Sequence, residues 1–155
     1  MKLRVSVDTR TWVTDPGDPD DKWDRDNTAQ SIEGVSVYAN DEDDRGYYSW
    51  GYPTPELDVN IGDTVYVVII RYSDGDTFGN DEGQHAVADV FKDEIDALEL
   101  QNWYEGWTTT EHMRYGGGKV VPFQESFKGK EYRIPWAGYF ERYESVNIYE
   151  CKVRG

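Results

Sequence analysis

The segment from Thr64 to Tyr72 constrains the fold more than any other part of the chain, because it is apolar on both alternations of a strand. Successive side chains of a strand point to opposite faces, so Val65, Val67 and Ile69 cover one face and the even-numbered residues cover the other. A strand that is apolar on both faces is typically buried on both faces. The pattern predicts a central strand with a packed layer on each side.

Four more segments are predicted to be strands. Residues 3–8 and 35–39 alternate apolar with polar side chains, which indicates half-buried strands. Residues 86–91 are expected to return antiparallel to the central strand, and residues 146–153 form a last strand. The stretch 115–130 contains three consecutive glycines and Pro122, and it is predicted to form either a long flexible loop or a second small hairpin.

One principal helix is predicted, at about residues 93–104. Good helix formers dominate there, and no glycine or proline interrupts until Gly106. Its apolar residues form a broad arc rather than a narrow stripe: Ile95, Ala97, Leu98, Leu100, Trp103 and Tyr104. A helix lying against a mainly antiparallel sheet gives an α+β layered domain, which is the predicted fold class.

The chain of 155 residues is interpreted as a single acidic domain, residues 1–155, with a net charge of −15. Residues 1–62 are assigned to an N-terminal β part that carries acidic loops, and residues 64–153 to a core that carries a sequence motif. The acidity is concentrated in three patches, at Asp15–Asp26, Asp41–Asp44 and Asp74–Glu82. These patches are rich in Asp, Gly, Pro or Asn, which is typical of surface loops.

The charge and the apolar pattern exclude several classes of function. Direct binding to nucleic acid needs clustered Lys and Arg, so a chain with this charge is not expected to bind phosphates directly. The longest apolar run, Val65 to Ile70, is too short to span a membrane, and the N-terminus has no signal-peptide core. The chain is therefore expected to be cytoplasmic, and its single cysteine, Cys151, forms no internal disulfide.

Catalytic and metal-binding motifs fail on inspection, so the chain is predicted to be no enzyme and to need neither a metal nor a cofactor. No G-x-S-x-G occurs, Gly118-Lys119 lacks the Ser or Thr of a P-loop, and the two histidines are far apart in sequence. Asp74, Asp76 and Gly79 match three positions of an EF-hand loop. Because Phe78 and His85 stand at its ligand positions, only weak Ca²⁺ binding to the acidic loops stays open.

Two segments of the core match a motif. The first runs Arg71-Tyr72-Ser73-x-Gly75-Asp76-x-Phe78-Gly79, and the second runs Trp136-x-Gly138-Tyr139-Phe140-Glu141. In this the chain resembles a group of small uncharacterised proteins of bacteriophages and prophages, over about residues 64–153. The resemblance implies a phage origin and a location in the cytoplasm of an infected bacterial host. It implies no catalytic residues, and the motif has a second interpretation as a folding hairpin only.

Two surfaces are candidates for binding. The first is an acidic face, which consists of Asp15, Asp18, Asp20, Asp21, Asp24, Asp26, Asp41, Glu42, Asp43 and Asp44. It either imitates the charge of a nucleic-acid backbone or only keeps the chain in solution. The second is an aromatic group, which consists of Tyr47, Tyr48, Trp50 and Tyr52. Such residues suit protein interfaces and sugar stacking, or they cap the core under a long loop.

The leading hypothesis is a non-enzymatic, phage-derived binding protein that inhibits a host protein with a basic surface, of the anti-defence or nucleic-acid-mimic type. An alternative is a small-ligand or nucleotide-binding protein that uses a turn made of Arg71, Ser73, Asp76, Thr77, Phe78 and Gly79, joined by Arg133 or Arg142. A further alternative is a virion component. The identity of the partner and the oligomeric state stay open.

Overall fold

The structure, a computed structural model, describes residues 1–13, 28–39, 51–74, 82–108, 121–137 and 141–155. Its strands form mainly antiparallel sheet and are joined by one principal helix, so the fold is α+β, as predicted. In chain order, the elements are β1 (Leu3–Val13), β2 (Thr28–Ala39), β3 (Thr64–Asp74), β4 (Glu82–Phe91), α1 (Glu94–Gly106), β5 (Gln124–Phe127), β6 (Lys130–Arg133), a 3₁₀ turn (Pro135–Ala137) and β7 (Glu141–Arg154).

Five strands form one curled sheet in the order β1-β2-β7-β3-β4, and β5 pairs with β6 in a separate two-stranded hairpin. All pairings are antiparallel except that of β2 with β7. Strand β3 is an interior strand between β7 and β4, and β4 returns antiparallel to it. Both findings confirm what the apolar pattern predicted.

Two hydrophobic clusters cover the two faces of β3. Val65, Val67 and Ile69 belong to a cluster shared with the β1–β2 hairpin, while Val68 and Ile70 belong to a cluster shared with α1. The hairpin therefore packs over one face of the sheet and the helix over the other. This arrangement confirms the prediction that layers cover the central strand on both sides.

The helix buries a narrower face than its apolar arc suggested. Ala97, Leu100 and Tyr104 are buried against the sheet, whereas Ile95 and Leu98 are exposed. The spacing of three and four residues places the buried side chains on one stripe, and the two exposed ones fall beside it. Among the residues that the structure describes, no helix is long and apolar enough to cross a membrane.

The β5–β6 hairpin lies over the C-terminal half of α1 and completes an aromatic cluster. Phe127 stacks on Trp103 with ring centroids 5.2 Å apart, and Tyr132 meets Tyr104 edge to face at 6.1 Å. The turn places Lys128 and Gly129 at positive φ. Of the two structures expected for residues 115–130, a hairpin is present, although it begins at Gln124 and ends at Arg133.

Candidate functional site

Strand directions relate the ends of two acidic connections. Strand β1 runs antiparallel to β2, β2 runs parallel to β7, and β7 runs antiparallel to β3. Strands β1 and β3 therefore have the same sense along the ladder, and residues 14–27 and 75–81 each follow the C-terminal end of one of them. We call these strand ends with their ladder partners the acidic end, defined by Val13, Thr28, Asp74, Glu82 and Glu141.

Acidic residues also stand at the ends of the strands that adjoin these connections. Asp74 is the partner of Glu82 on β4 and of Glu141 on β7, so one row across three neighbouring strands consists of acidic residues.

The C-terminus of α1 adds negative charge near the same end. Burial and, secondly, the Glu105 carboxylate raise the pKa of Tyr143, which is the register partner of Tyr72 two rows below the acidic row. The last turn of the helix carries no basic residue that would offset the negative end of the helix dipole. Glu105 and the helix terminus therefore add negative charge around Tyr143.

Three predicted site residues lie within the described parts, and two of them are on β3 near the acidic end. Arg71 is 28% exposed, and its guanidinium lies 3.9 Å from the carboxylate of Glu144. Ser73 is buried and is the register partner of Arg142. His85 is the register partner of Arg71, and its pKa is lowered by burial and by the Arg71 charge.

The arginines considered for the turn have other neighbours within the described residues, and Glu144 is already beside the Arg71 guanidinium. Arg133, which was expected to join the turn, lies on β6 over the ring of Phe123, with 4.9 Å from its guanidinium carbon to the ring centroid. Of the two arginines named as alternatives, Arg142 is the register partner of Ser73, whereas Arg133 lies on β6.

The third predicted residue that the structure describes is Tyr52. Its ring is half-buried and packs against the cluster around α1. Together with Pro53, Gln124 and Lys130 it lines an open cavity of about 370 Å³. Tyr52 therefore contributes to the core and to a surface cavity at the same time.

Most of the predicted site residues lie outside the described residues, and their roles stay predictions. In the acidic face these are Asp15, Asp18, Asp20, Asp21, Asp24, Asp26, Asp41, Glu42, Asp43 and Asp44. In the aromatic group they are Tyr47, Tyr48 and Trp50, and in the turn they are Asp76, Thr77, Phe78 and Gly79. Within the described residues, no group of three or more His, Cys, Asp or Glu side chains could hold a metal ion.

Gly51, next to Tyr52, offers a test of how tightly this segment is attached to β6. Its carbonyl accepts a hydrogen bond from the Arg133 N–H at 2.8 Å, and its φ is +84°. A Cβ at Gly51 would lie 2.9 Å from that of Arg133, whereas one at Gly62, with a φ of +95°, would meet nothing within 4 Å.

We expect Gly62→Ala to cost about 1 kcal/mol of unfolding free energy from backbone strain, and Gly51→Ala to cost at least about 1 kcal/mol more from the added clash. Urea denaturation of both variants measures the difference. Equal losses would show that residues 51–53 move freely relative to β6.

The structure contains a polar centre at Asp89 on β4, which the sequence analysis did not identify. This carboxylate is only 1% exposed; its Oδ2 accepts hydrogen bonds from the Tyr132 hydroxyl and, at 3.1 Å, from Lys130 Nζ. Its Oδ1 lies 2.7 Å from the N–H of Val90. Burial and the neighbouring Asp89 charge raise the pKa of Tyr132 well above its usual range. The centre joins the hairpin to the sheet.

A bulge in β4 explains how Asp89 comes to face the helix. Asp89 is the partner of Val68, and Val87 is the partner of Ile69, so Ala88 is an extra residue. Val68 belongs to the cluster around α1, and its partner Asp89 lies on the same face of the sheet. Bulges re-aim side chains in this way and are frequent near functional sites. Here the hydrogen bonds of Asp89 go to Val90, Lys130 and Tyr132 of the same chain.

The chain was compared with known proteins by family, by sequence and by structure. No protein-family model, no curated protein and no solved structure matches it. The resemblance to small phage proteins stays a prediction.

Proposed function

We propose that the chain is a non-enzymatic binding protein that uses its acidic end to engage a basic surface on another protein. The observation that supports this proposal is the shared sense of β1 and β3, whose C-terminal ends lead into two acidic connections, together with the acidic row of Asp74, Glu82 and Glu141 in the register. Scattered carboxylates would have sufficed for solubility. Charge gathered at one end produces a directed field that steers a partner of opposite charge.

The class of partner is inferred from the likeness between a dense group of carboxylates and the phosphate charges of DNA. A DNA duplex presents one phosphate charge per about 1.7 Å of its axis, and proteins that hold it line their sites with Lys and Arg. A dense group of carboxylates offers the same sites a competing anion. We therefore propose inhibition of a nucleic-acid-binding protein by charge imitation. The resemblance to phage proteins favours a host protein, such as a defence factor, as that target.

Competition with DNA tests this proposal. The probe is a fluorescent DNA duplex bound to each member of a panel of purified basic bacterial DNA-binding proteins and defence nucleases. We expect the chain to displace the duplex from at least one member. Replacing Asp20, Asp21, Asp24 and Asp26 by Asn should slow association with that member about tenfold at low salt, because distributed charge acts mainly on the encounter rate.

A second variant controls for total charge. Glu56→Gln, Asp58→Asn, Asp96→Asn and Glu131→Gln remove the same number of charges from exposed positions elsewhere on the described surface. We expect this variant to associate nearly as fast as the unmodified chain. Equal slowing of both variants would mean that only the net charge matters. Failure to displace DNA from any panel member would refute charge imitation.

A further inference from the structure

Strand β7 is paired along its length on one side only. Its antiparallel ladder with β3 extends from Glu141 to Lys152. Its parallel ladder with β2 consists of two pairs, Val37 with Val153 and Tyr38 with Arg154. The side of β7 that faces β2 is therefore open over most of the strand, within the residues that the structure describes.

The opening arises because β2 leaves the plane of the sheet. The Cys151 side chain packs against the cluster on the hairpin side, and its Sγ lies 3.5 Å from the carbonyl oxygen of Val35 on β2. Strand side chains stand roughly perpendicular to the sheet, so a side chain of β7 reaches the β2 backbone only if β2 has risen over that face. Strand β2 thus crosses over one face of β7. Among the described residues, the position beside β7 in the plane of the sheet is left without a strand.

The register shows which backbone groups face the vacated position. Val153 exchanges two hydrogen bonds with the segment that leads into β3: its N–H donates to Asp63, and its carbonyl accepts from Gly62. In an antiparallel strand the backbone groups of successive residues alternate in direction. The odd-numbered residues near the end of β7 therefore face β3, and the even-numbered ones face away from it.

Two of these even-numbered residues lack a backbone partner among the described residues. The carbonyl of Val146 accepts a hydrogen bond from Gln101 Nε2 at 2.7 Å, so α1 covers the edge there. Lys152 lies beside the two pairs with β2. Between them, Ile148 and Glu150 present two N–H donors and two carbonyl acceptors to the fork between β2 and β7.

The closed end of the fork is basic. A cavity of about 290 Å³ lies there, lined by Ser36 of β2 and by Glu150, Cys151, Lys152 and Arg154 of β7. Two cations flank one carboxylate in a chain whose net charge is −15. The fork therefore differs in charge from the acidic end.

We propose that this fork, defined by Ile148, Glu150, Lys152 and Arg154, binds the C-terminus of a partner protein as an added strand. The added strand hydrogen-bonds to the backbone of Ile148 and Glu150 and takes the direction of β2, whose place it fills. Because the Val37–Val153 pair closes the fork, a strand that runs toward it must end there. Its terminal carboxylate then lies beside Lys152 and Arg154, where a charge-assisted hydrogen bond is favourable.

A second copy of the chain is a poor occupant, since two strongly acidic chains repel each other. The proposal is independent of the acidic end, and a partner can occupy the fork whether or not charge imitation takes place.

Amide NMR of the full chain with three matched peptides tests the proposal. The probe is a five-residue peptide of alternating Thr and Val with a free carboxylate. Its first twin is amidated at the C-terminus, and its second is N-methylated at alternate peptide bonds. We expect the free acid to shift the amide signals of Ile148 and Glu150 and to slow their hydrogen exchange, with a dissociation constant of about 0.1 mM. Amidation should weaken binding about tenfold, and N-methylation should abolish it.

Two double variants separate the role of local charge from that of total charge. Lys152→Gln with Arg154→Gln should reduce binding of the free acid to the level of its amidated twin. Lys92→Gln with Lys128→Gln removes two exposed cations elsewhere and should leave binding unchanged. The absence of shifts at Ile148 and Glu150 with millimolar peptide would overturn the proposal. Equal binding of the acid and the amide, or a dimer by sedimentation that is broken by Ile148→Pro, would also overturn it.

Discussion

Replacing Tyr104 with alanine should lower the free energy of unfolding by about 4 kcal/mol. The side chain is fully buried at the centre of the cluster around α1, where its ring meets Trp103, Tyr132 and Trp136 edge to face. Its hydroxyl donates a hydrogen bond to the carbonyl of Arg133 at 2.9 Å. The substitution therefore leaves a cavity between the helix and the β5–β6 hairpin and leaves that carbonyl without its partner.

Two variants of the same helix separate these contributions. Tyr104→Phe keeps the ring and removes the hydrogen bond, so we expect a loss of about 1 kcal/mol. Leu98→Ala shortens an exposed side chain on the same helix and should cost less than about 0.5 kcal/mol. Urea denaturation measures the loss for each of the three variants, and the dependence of the unfolding free energy on urea concentration should stay unchanged. A loss below about 1.5 kcal/mol for Tyr104→Ala would contradict the packing of α1 described above.

The second large effect is expected at Asp89. Replacing it with alanine removes the acceptor of the buried Tyr132 hydroxyl and the charge that faces Lys130. A buried donor without a partner costs about 1–3 kcal/mol, and the lost ion pair adds less because the Lys130 side chain is 45% exposed. We expect a total loss of about 3 kcal/mol by urea denaturation.

A double-mutant cycle tests whether Asp89 and Tyr132 form a unit. Tyr132→Phe alone should cost about 1–2 kcal/mol, since it leaves a buried carboxylate with one donor fewer. Asp89→Ala combined with Tyr132→Phe leaves no orphaned hydroxyl, so the double variant should lose clearly less than the two single variants together. Additive losses would contradict a direct hydrogen bond between the two side chains.

The parts of the fold that could be predicted are those in which the spacing of apolar residues alone determines the secondary structure. Strand β3 is the clearest case, because Val65 to Ile70 have only one arrangement that buries both alternations. Strands β1 and β2 were predicted too short, since residues 9–13 and 28–31 are largely polar or small and pair only because the hairpin partner is present. The bounds of the β5–β6 hairpin could not be predicted for the same reason. Three of the four residues of β5 are exposed, so no apolar pattern marks that strand.

The polar centre and the fork could not be predicted, because both depend on irregular backbone. A regular alternation would place Asp89 on the same face as Val87, and only the extra residue Ala88 moves it to the face of Tyr132, which is distant in the sequence. The fork depends on the point at which β2 leaves the plane of the sheet. No residue pattern in β2 marks that point, although Cys151 and Val35 lie there.

The candidate binding site could be predicted only in part, because the sequence shows where the charge lies but not how the strands are ordered. The acidic patches were identified from composition, but the strand ends that they follow depend on strand order: Asp15–Asp26 and Asp74–Glu82 follow β1 and β3, which have the same sense, whereas Asp41–Asp44 follows β2, which has the opposite sense. Sequence alternation does not reveal strand order, so the acidic row of Asp74, Glu82 and Glu141 could not be foreseen.

The salt dependence of binding tests the account most directly. The measurement is the affinity of the full chain for the DNA-binding protein from which it displaces the duplex, as NaCl rises from about 50 to about 500 mM. If the acidic end is the recognition surface, the affinity falls steeply over this range. The variant with Asn at positions 20, 21, 24 and 26 should then show a flatter slope. An affinity that stays constant with salt, or an unchanged slope in that variant, would contradict recognition through the acidic end.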